Sequence, residues 1–308
     1  MPVLENFGFF NQSIFLAADL HLPEGPGPHP AVVILHTANG GLRSYPFYQH
    51  LTRELPSHGW AVFLYDRRGS GASGGNFETA SFSDLAEDAL AAVSTLQSRA
   101  DINPERIGVY GISQGGWIAP IAAARNQQVA FQIIVSSSGV SPAQQMDYAA
   151  RYHLQKAGFP EEIIRQAIDL RSQVNEYYRG RLSRDAVRQA LAAHQEEAWF
   201  STAFLSGDMD LPVDVTREKW YYELDHDPLA AWKLVQQPSL FLFAGDDPWV
   251  PVQESIDNFK MVTNHLQDAP MVIIPETDHL MHENNDPDPT HVSNVYLEKM
   301  TGWLSSRI

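Results

Sequence analysis

Apolar runs alternate with amphipathic stretches along most of this chain. "IFLAADLHLP", "AVVILHT", "AVFLYD", "RIGVYG", "FQIIVSSSG", "LFLFAGDD" and "MVIIPE" are largely apolar, and most lack a polar face. Strands of that kind are buried on both sides. Their alternation with helix-period segments such as "FYQHLTRELPSHG" and "FSDLAEDALAAVSTLQSR" predicts a three-layer α/β core: a mainly parallel sheet with helices on each face. The rhythm changes between Val140 and Gln237, where no strand-like run occurs. There Ile163, Ile164, Ala167, Ile168, Arg171, Val174 and Tyr178 recur at helical spacing, "SRDAVRQALAAHQEEAWF" follows in the same style, and Pro160 with Glu161 and Glu162 marks a helix start. The expected organisation is a core of residues 1–139 and 238–308 with a helical cap inserted at 140–237. An acidic, Pro-rich loop, "ENNDPDPT", precedes the last helix.

Two stretches carry Gly-x-Ser-x-Gly, the spacing of the strained strand-to-helix turn that presents a hydrolase nucleophile. Gly111-Ile112-Ser113-Gln114-Gly115 has the required setting: the strand "RIGVY" runs into it and the Ala-rich helix "WIAPIAAAR" leaves it. Glycine two residues to either side of Ser113 is expected where a side chain would strike the opposing arm of the turn. Gly71-Ala72-Ser73-Gly74-Gly75 lies several residues past its strand and enters "NFETASFSD", which has no helical period. Ser73 therefore reads as part of a Gly-rich loop, and Ser113 as the candidate nucleophile.

A lone serine hydroxyl is a poor nucleophile; it needs a histidine to take its proton and a carboxylate to orient that histidine. After "SLFLFAG" come Asp246 and Asp247, and after "MVIIPE" come Thr277, Asp278 and His279. Asp247 is preferred to Asp246 because Pro248 ends the strand and leaves Asp247 in the turn. His279 is preferred to His282 because it stands closer to the strand end. The oxyanion needs two donors: the backbone N–H of Gln114, at a helix N-terminus, and the backbone N–H of Thr37 or Ala38 in the loop "HTANGG".

Composition narrows the partners. The 308 residues carry 21 Lys and Arg against 37 Asp and Glu, a formal net charge of −16, which disfavours nucleic acid and anionic membranes. No run approaches the ~20 apolar residues of a transmembrane helix, and "MPVLENFGFFNQS" lacks the features of a leader. A cytoplasmic protein is the simplest expectation. With no cysteine there is no disulfide, thiolate metal site or cysteine nucleophile.

The motifs "LPEGPGPHPAVVILH", "YDRRGSGASGG", "GISQGGWIAP", "FAGDDPWVP" and "DHLMH" resemble, in order, those of the α/β-hydrolase superfamily. The resemblance is to the branch near dienelactone hydrolases, prolyl-oligopeptidase-like enzymes and bacterial esterases with a helical cap. It covers nearly the whole chain except the insertion. It implies an α/β-hydrolase fold with Ser113 as nucleophile, Asp247 as acid and His279 as base, and it makes Asp66-Arg67-Arg68-Gly69 a structural turn after a central strand, with Ser73 inside the same turn motif. Two positions depart from the pattern: Thr37 where glycine usually follows the oxyanion-loop histidine, and Ile112 where histidine is frequent.

The expected activity is hydrolysis of a small-molecule carboxylic ester or other acyl substrate, with no cofactor and no metal. Aromatic residues of the insertion, Tyr148, Tyr152, Trp199, Phe200, Phe204, Trp220, Tyr221 and Tyr222, are candidates for packing the cap or lining an apolar pocket. A peptidase would keep the triad and add a group for the substrate amine, such as Glu196 or Glu197. The same residues would also suit a C–C bond hydrolase, or a ligand-binding protein that retains hydrolase geometry.

Overall fold

The computed structural model describes residues 3–283, 286, 288 and 290–307. Asn284, Asn285, Pro287 and Pro289 of the acidic loop lie outside the described residues. Eight strands form one sheet in the order β1-β2-β4-β3-β5-β6-β7-β8. Their ranges are β1 Val3–Asn11, β2 Ile14–Leu22, β3 His29–Leu35, β4 Ala61–Tyr65, β5 Ile102–Ile112, β6 Gln132–Val135, β7 Ser239–Ala244 and β8 Met271–Ile274. From β4 to β8 all neighbours are parallel; β2 runs antiparallel to both β1 and β4.

The apolar runs are explained by what lies on each face. In β3, Ala31, Val33 and Leu35 join one apolar cluster, while Val32 and Ile34 join the cluster on the other side. In β4, Ala61, Phe63 and Tyr65 divide from Val62 and Leu64 in the same way. Each such side chain gains roughly 1.5–3 kcal/mol on burial, so neither face of these strands tolerates polar residues. Helices α2 (Phe82–Gln97) and α3 (Gly115–Arg125) pack one face, with α8 (Val252–Thr263) beyond them; α1 (Gln49–Ser57) and α9 (Asn294–Ser305) cover the other. Helix α2 starts on a reciprocal cap in which Ser81 and Asp84 satisfy each other's backbone N–H.

Strand β1 is an addition to the sequence-derived elements. It pairs residue for residue with β2 across the Gln12-Ser13 turn, where Gln12 has φ of 52°.

Between β6 and β7 the described residues contain no strand. They form α4 (Pro142–Lys156), α5 (Glu161–Tyr178), α6 (Arg184–Ala192) and the short α7 (Lys219–Glu223). Pro160 sits just before α5, at its cap. Leu154, Ile164, Leu170, Val187, Trp199 and Phe200 belong to an apolar cluster of the insertion's own. No described helix is long and apolar enough to cross a membrane.

Candidate active site

Three side chains meet beyond the carboxyl ends of β5, β7 and β8. Ser113 stands at the tip of a sharp turn between β5 and α3, with φ of 52°, a left-handed conformation that costs a non-glycine residue about 1–3 kcal/mol. The flanking glycines permit the turn. A Cβ on Gly111 would lie 2.3 Å from the Gly115 carbonyl oxygen, the opposing arm of the turn. A Cβ on Gly115 would instead lie 2.3 Å from the Leu35 carbonyl oxygen, at the end of neighbouring β3. The second glycine is thus required by the adjacent strand, a constraint the motif alone does not reveal.

His279 Nε2 lies 3.0 Å from Ser113 Oγ, and His279 Nδ1 lies 2.8 and 3.0 Å from the two Asp247 carboxylate oxygens. A carboxylate only accepts, so Nδ1 carries the proton and Nε2 presents its lone pair to the serine hydroxyl. Asp247 is 3% exposed and is fixed from behind, Oδ1 accepting the N–H groups of Trp249 and Val250. Asp246 is exposed, and its N–H pairs with the Thr277 carbonyl instead. His282 Nδ1 is 3.2 Å from Asp278. Ser73 is part of the loop's own scaffold: its hydroxyl donates to the Asp66 carbonyl at 2.6 Å and accepts the Ala17 N–H at 2.9 Å.

The loop after β3 distinguishes Thr37 from Ala38. The Thr37 N–H donates to the buried Tyr48 hydroxyl at 3.2 Å, and that hydroxyl donates to the Gly40 carbonyl at 2.8 Å. Thr37, expected as a possible donor, is therefore occupied within the loop. Ala38 is exposed beside it, and among the described residues neither its N–H nor that of Gln114 has a protein acceptor.

Several contacts around Ser113 were not apparent from the sequence. In the turn after β4, Asp66 and Arg68 are structural. Asp66 accepts the N–H groups of Arg43 and Ala72, and Arg68 grips Asp88 with two bonds of 2.6 and 2.7 Å. Arg67 instead reaches the site, its Nη1 lying 3.1 Å from the Thr37 carbonyl and 3.4 Å from Gln114 Oε1, with its guanidinium over the Phe77 ring. The Gln114 side-chain amide donates at 2.8 Å to Glu223, which pairs with Lys219 at 3.0 Å. Burial pushes the Glu223 carboxyl up and the Lys219 ammonium down, and each partner opposes the other's shift. The only sequence hint was "KWYYE", which puts Lys219 and Glu223 at i and i+4.

The insertion also touches the acid turn. Tyr148 donates to the Asp247 carbonyl at 3.2 Å, and Trp249 forms one ring cluster with His153 and Phe204, its centroid 5.4 and 5.1 Å from theirs. Trp199 and Phe200 are buried in the insertion's own core, while Glu196 and Glu197 are exposed. Among the described residues no group of three His, Cys, Asp or Glu could hold a metal ion.

With that geometry in view, a family described as "Serine aminopeptidase, S33" matches residues 26–288. The uncharacterized protein YfhR of Escherichia coli (strain K12) is 34% identical over 92 residues, 30% of this chain and 31% of YfhR. The matched stretch thus spans under a third of that relative. Among solved structures, DcsB in complex with its substrate analogue superposes with a TM-score of 0.66 at 16% identity, covering 99% of each chain. An esterase of Pyrococcus furiosus gives 0.65 at 15% identity, covering 99% of this chain and 91% of that one. At such identities the likeness is one of fold.

Proposed function

Since the chain belongs to the serine aminopeptidase S33 family of α/β-hydrolases, we propose that it hydrolyses carboxylic esters of small molecules through an acyl-enzyme on Ser113. The carrying observation is the unbroken relay from Asp247 through His279 to Ser113, at 2.8 and 3.0 Å. His279 takes the Ser113 proton as Oγ attacks the acyl carbonyl. The N–H groups of Gln114 and Ala38 hold the oxyanion, and His279 returns the proton to the leaving alcohol. Water then releases the acid by the same base. Residues 140–237 act as a cap on the core of 1–139 and 238–308, in keeping with the contacts of Tyr148 and Glu223.

An ester is favoured over an aminopeptidase substrate by the state of the nearby carboxylates. Binding a substrate ammonium needs an available carboxylate beside the nucleophile. Glu223 is held by Lys219 and Gln114, and Glu196 and Glu197 are exposed beyond α6. The test is labelling with a fluorophosphonate probe and mass spectrometry of the modified peptide, alongside ester turnover by Asp247→Asn. Label on Ser113 and a fall in kcat of about 10³–10⁴ are expected, because the asparagine NH2 group facing Nδ1 imposes the wrong imidazole tautomer. Unlabelled protein, or Asp247→Asn turning over at the wild-type rate, would overturn the assignment.

A further inference from the structure

A cavity of about 360 Å³ lies inside the insertion, near the lower end of the ~300–1,000 Å³ that ligand pockets occupy. Its walls include Met146, Val174, Leu205 and Trp220. Two of the helices that build it, α4 and α7, also reach the site. Met146 is two residues before Tyr148, which bonds the Asp247 carbonyl; Trp220 is on the same short helix as Glu223, which bonds Gln114. Phe204 belongs both to the cavity wall and to the ring cluster on Trp249. The cavity is thus tied to the acid turn on one side and to the residue after the nucleophile on the other. Phe204 has φ of 55°, a conformation a bulky residue holds only under constraint, and strain of this kind gathers at ligand sites.

Two buried polar side chains line this largely apolar space, Arg171 at 7% and Asn175 at 5% exposure, with the exposed Ser206 and Asp210 at its edge. Asn175 Oδ1 accepts the Trp220 indole N–H at 2.9 Å, which fixes the amide's orientation. Its Nδ2 then has no protein acceptor among the described residues. The Arg171 charge is already answered by Asp147 at 2.9 Å, and its Nη1 is held by the Ala203 carbonyl. Asp210 also lines the cavity, so the local charge balance opposes a further anion.

We infer that the cavity holds the non-reacting part of the substrate, that this part is an uncharged aliphatic group bearing an acceptor oxygen, and that Asn175 Nδ2 donates to that oxygen. The inference rests on the ester-hydrolase reading for the word substrate, while the ligand chemistry stands apart from it.

The test uses dipropyl ketone and heptanoate as probes. Each is titrated against the Ser113→Ala protein with tryptophan emission as the binding signal, and each is tried as an inhibitor of wild-type ester turnover. The ketone is expected to bind, to compete with the ester, and to outcompete heptanoate. Asn175→Leu should weaken ketone binding by about tenfold, the worth of one hydrogen bond to a buried group. Val174→Phe, which fills the cavity while keeping Arg171 and Asn175 in the chain, should abolish ketone binding while the protein still unfolds cooperatively. A ketone that fails to bind, or binds equally well to both cavity variants, overturns the inference. So does a ketone that binds without competing with the ester, since the cavity then lies apart from the substrate site. Asn175-dependent ketone binding by a protein with no ester turnover would overturn the catalytic reading and leave the cavity's chemistry standing.

Discussion

Gln114 and Glu223 are joined by a 2.8 Å hydrogen bond that ties the residue after Ser113 to the inserted helices. The Gln114 side chain is also approached by Arg67 at 3.4 Å, so it is held from both sides while its backbone N–H has no protein acceptor among the described residues. Removing the carboxylate leaves the Lys219 ammonium, which is 12% exposed, without its ion-pair partner. Glu223→Leu is expected to lower stability by about 3–5 kcal/mol, as breaking a buried pair from one side does. Glu223→Gln, which can still accept from Gln114, should retain more of kcat than Glu223→Leu at equal folded fraction. Urea titration and steady-state kinetics on the two variants give the comparison; equal kcat in both would mean that the bond does not position the oxyanion donor.

Tyr48 is the pillar of the loop proposed to supply the other oxyanion donor. Its hydroxyl satisfies both the Thr37 N–H and the Gly40 carbonyl. Tyr48→Phe leaves both groups buried and unpaired, at a cost of about 1–3 kcal/mol each. With the loop loosened, kcat should fall more than KM rises, because an oxyanion donor acts in the transition state. A variant altered only in KM would place the loop's role in ground-state binding.

Ser73 separates the two Gly-x-Ser-x-Gly stretches experimentally. Ser73→Ala removes the acceptor of the Ala17 N–H and the donor to the Asp66 carbonyl, and a stability loss of about 1–3 kcal/mol is expected. Turnover per folded molecule should match the parent protein. Complete inactivity of soluble, folded Ser73→Ala would reopen the choice of nucleophile.

Three histidines make the fold acid-sensitive. Burial pushes His36 and His50 down to about 3 and His226 to about 4, from an ordinary value of 6.5. Arg67 adds to the shift of His36, and Nε2 of that ring reaches the Tyr65 carbonyl. Below pH 6.5 the unfolded chain binds protons that the folded protein does not. The stability these residues contribute is therefore complete above pH 6.5 and declines as pH falls toward 4, by about 1.4 kcal/mol per pH unit for each histidine. Replacing His50 should flatten that slope by one histidine's share in urea midpoints measured between pH 7 and 5. A slope identical to the parent's would show that His50 titrates alike in both states.

Much of this molecule could be read in advance because the parallel strands are buried on both faces and carry uninterrupted apolar runs. The placement of Ser113, Asp247 and His279 followed from where those runs end. Strand β1 is hard to read because it is an edge: Phe9 joins the core and Phe7 packs against it, but Phe10 is 63% and Leu4 51% exposed, which blurs the alternation. The preference for Ala38 over Thr37 depends on the Tyr48 hydroxyl, brought back to the loop by the turn into α1. The role of Glu223 depends on a contact between residues 109 apart in the chain, which local periodicity cannot contain. Asn175 is one of several polar positions on α5, and its amide is fixed by Trp220, 45 residues away in the chain.

The place of the insertion in the sheet has a kinetic consequence. Strands β6 and β7 pair directly, Gln132 with Ser239 through Val135 with Leu242, yet the chain between them is roughly a hundred residues long. Closing so long a loop is entropically costly while it remains unstructured, and each doubling of its length adds about 0.6 kcal/mol. A segment that collapses on its own apolar cluster brings its two ends together first and shortens the effective loop. The acid and base ends of the relay would then assemble late, after the inserted helices have condensed, and loosening Trp199 would slow the recovery of turnover on refolding more than it slows the return of helical signal.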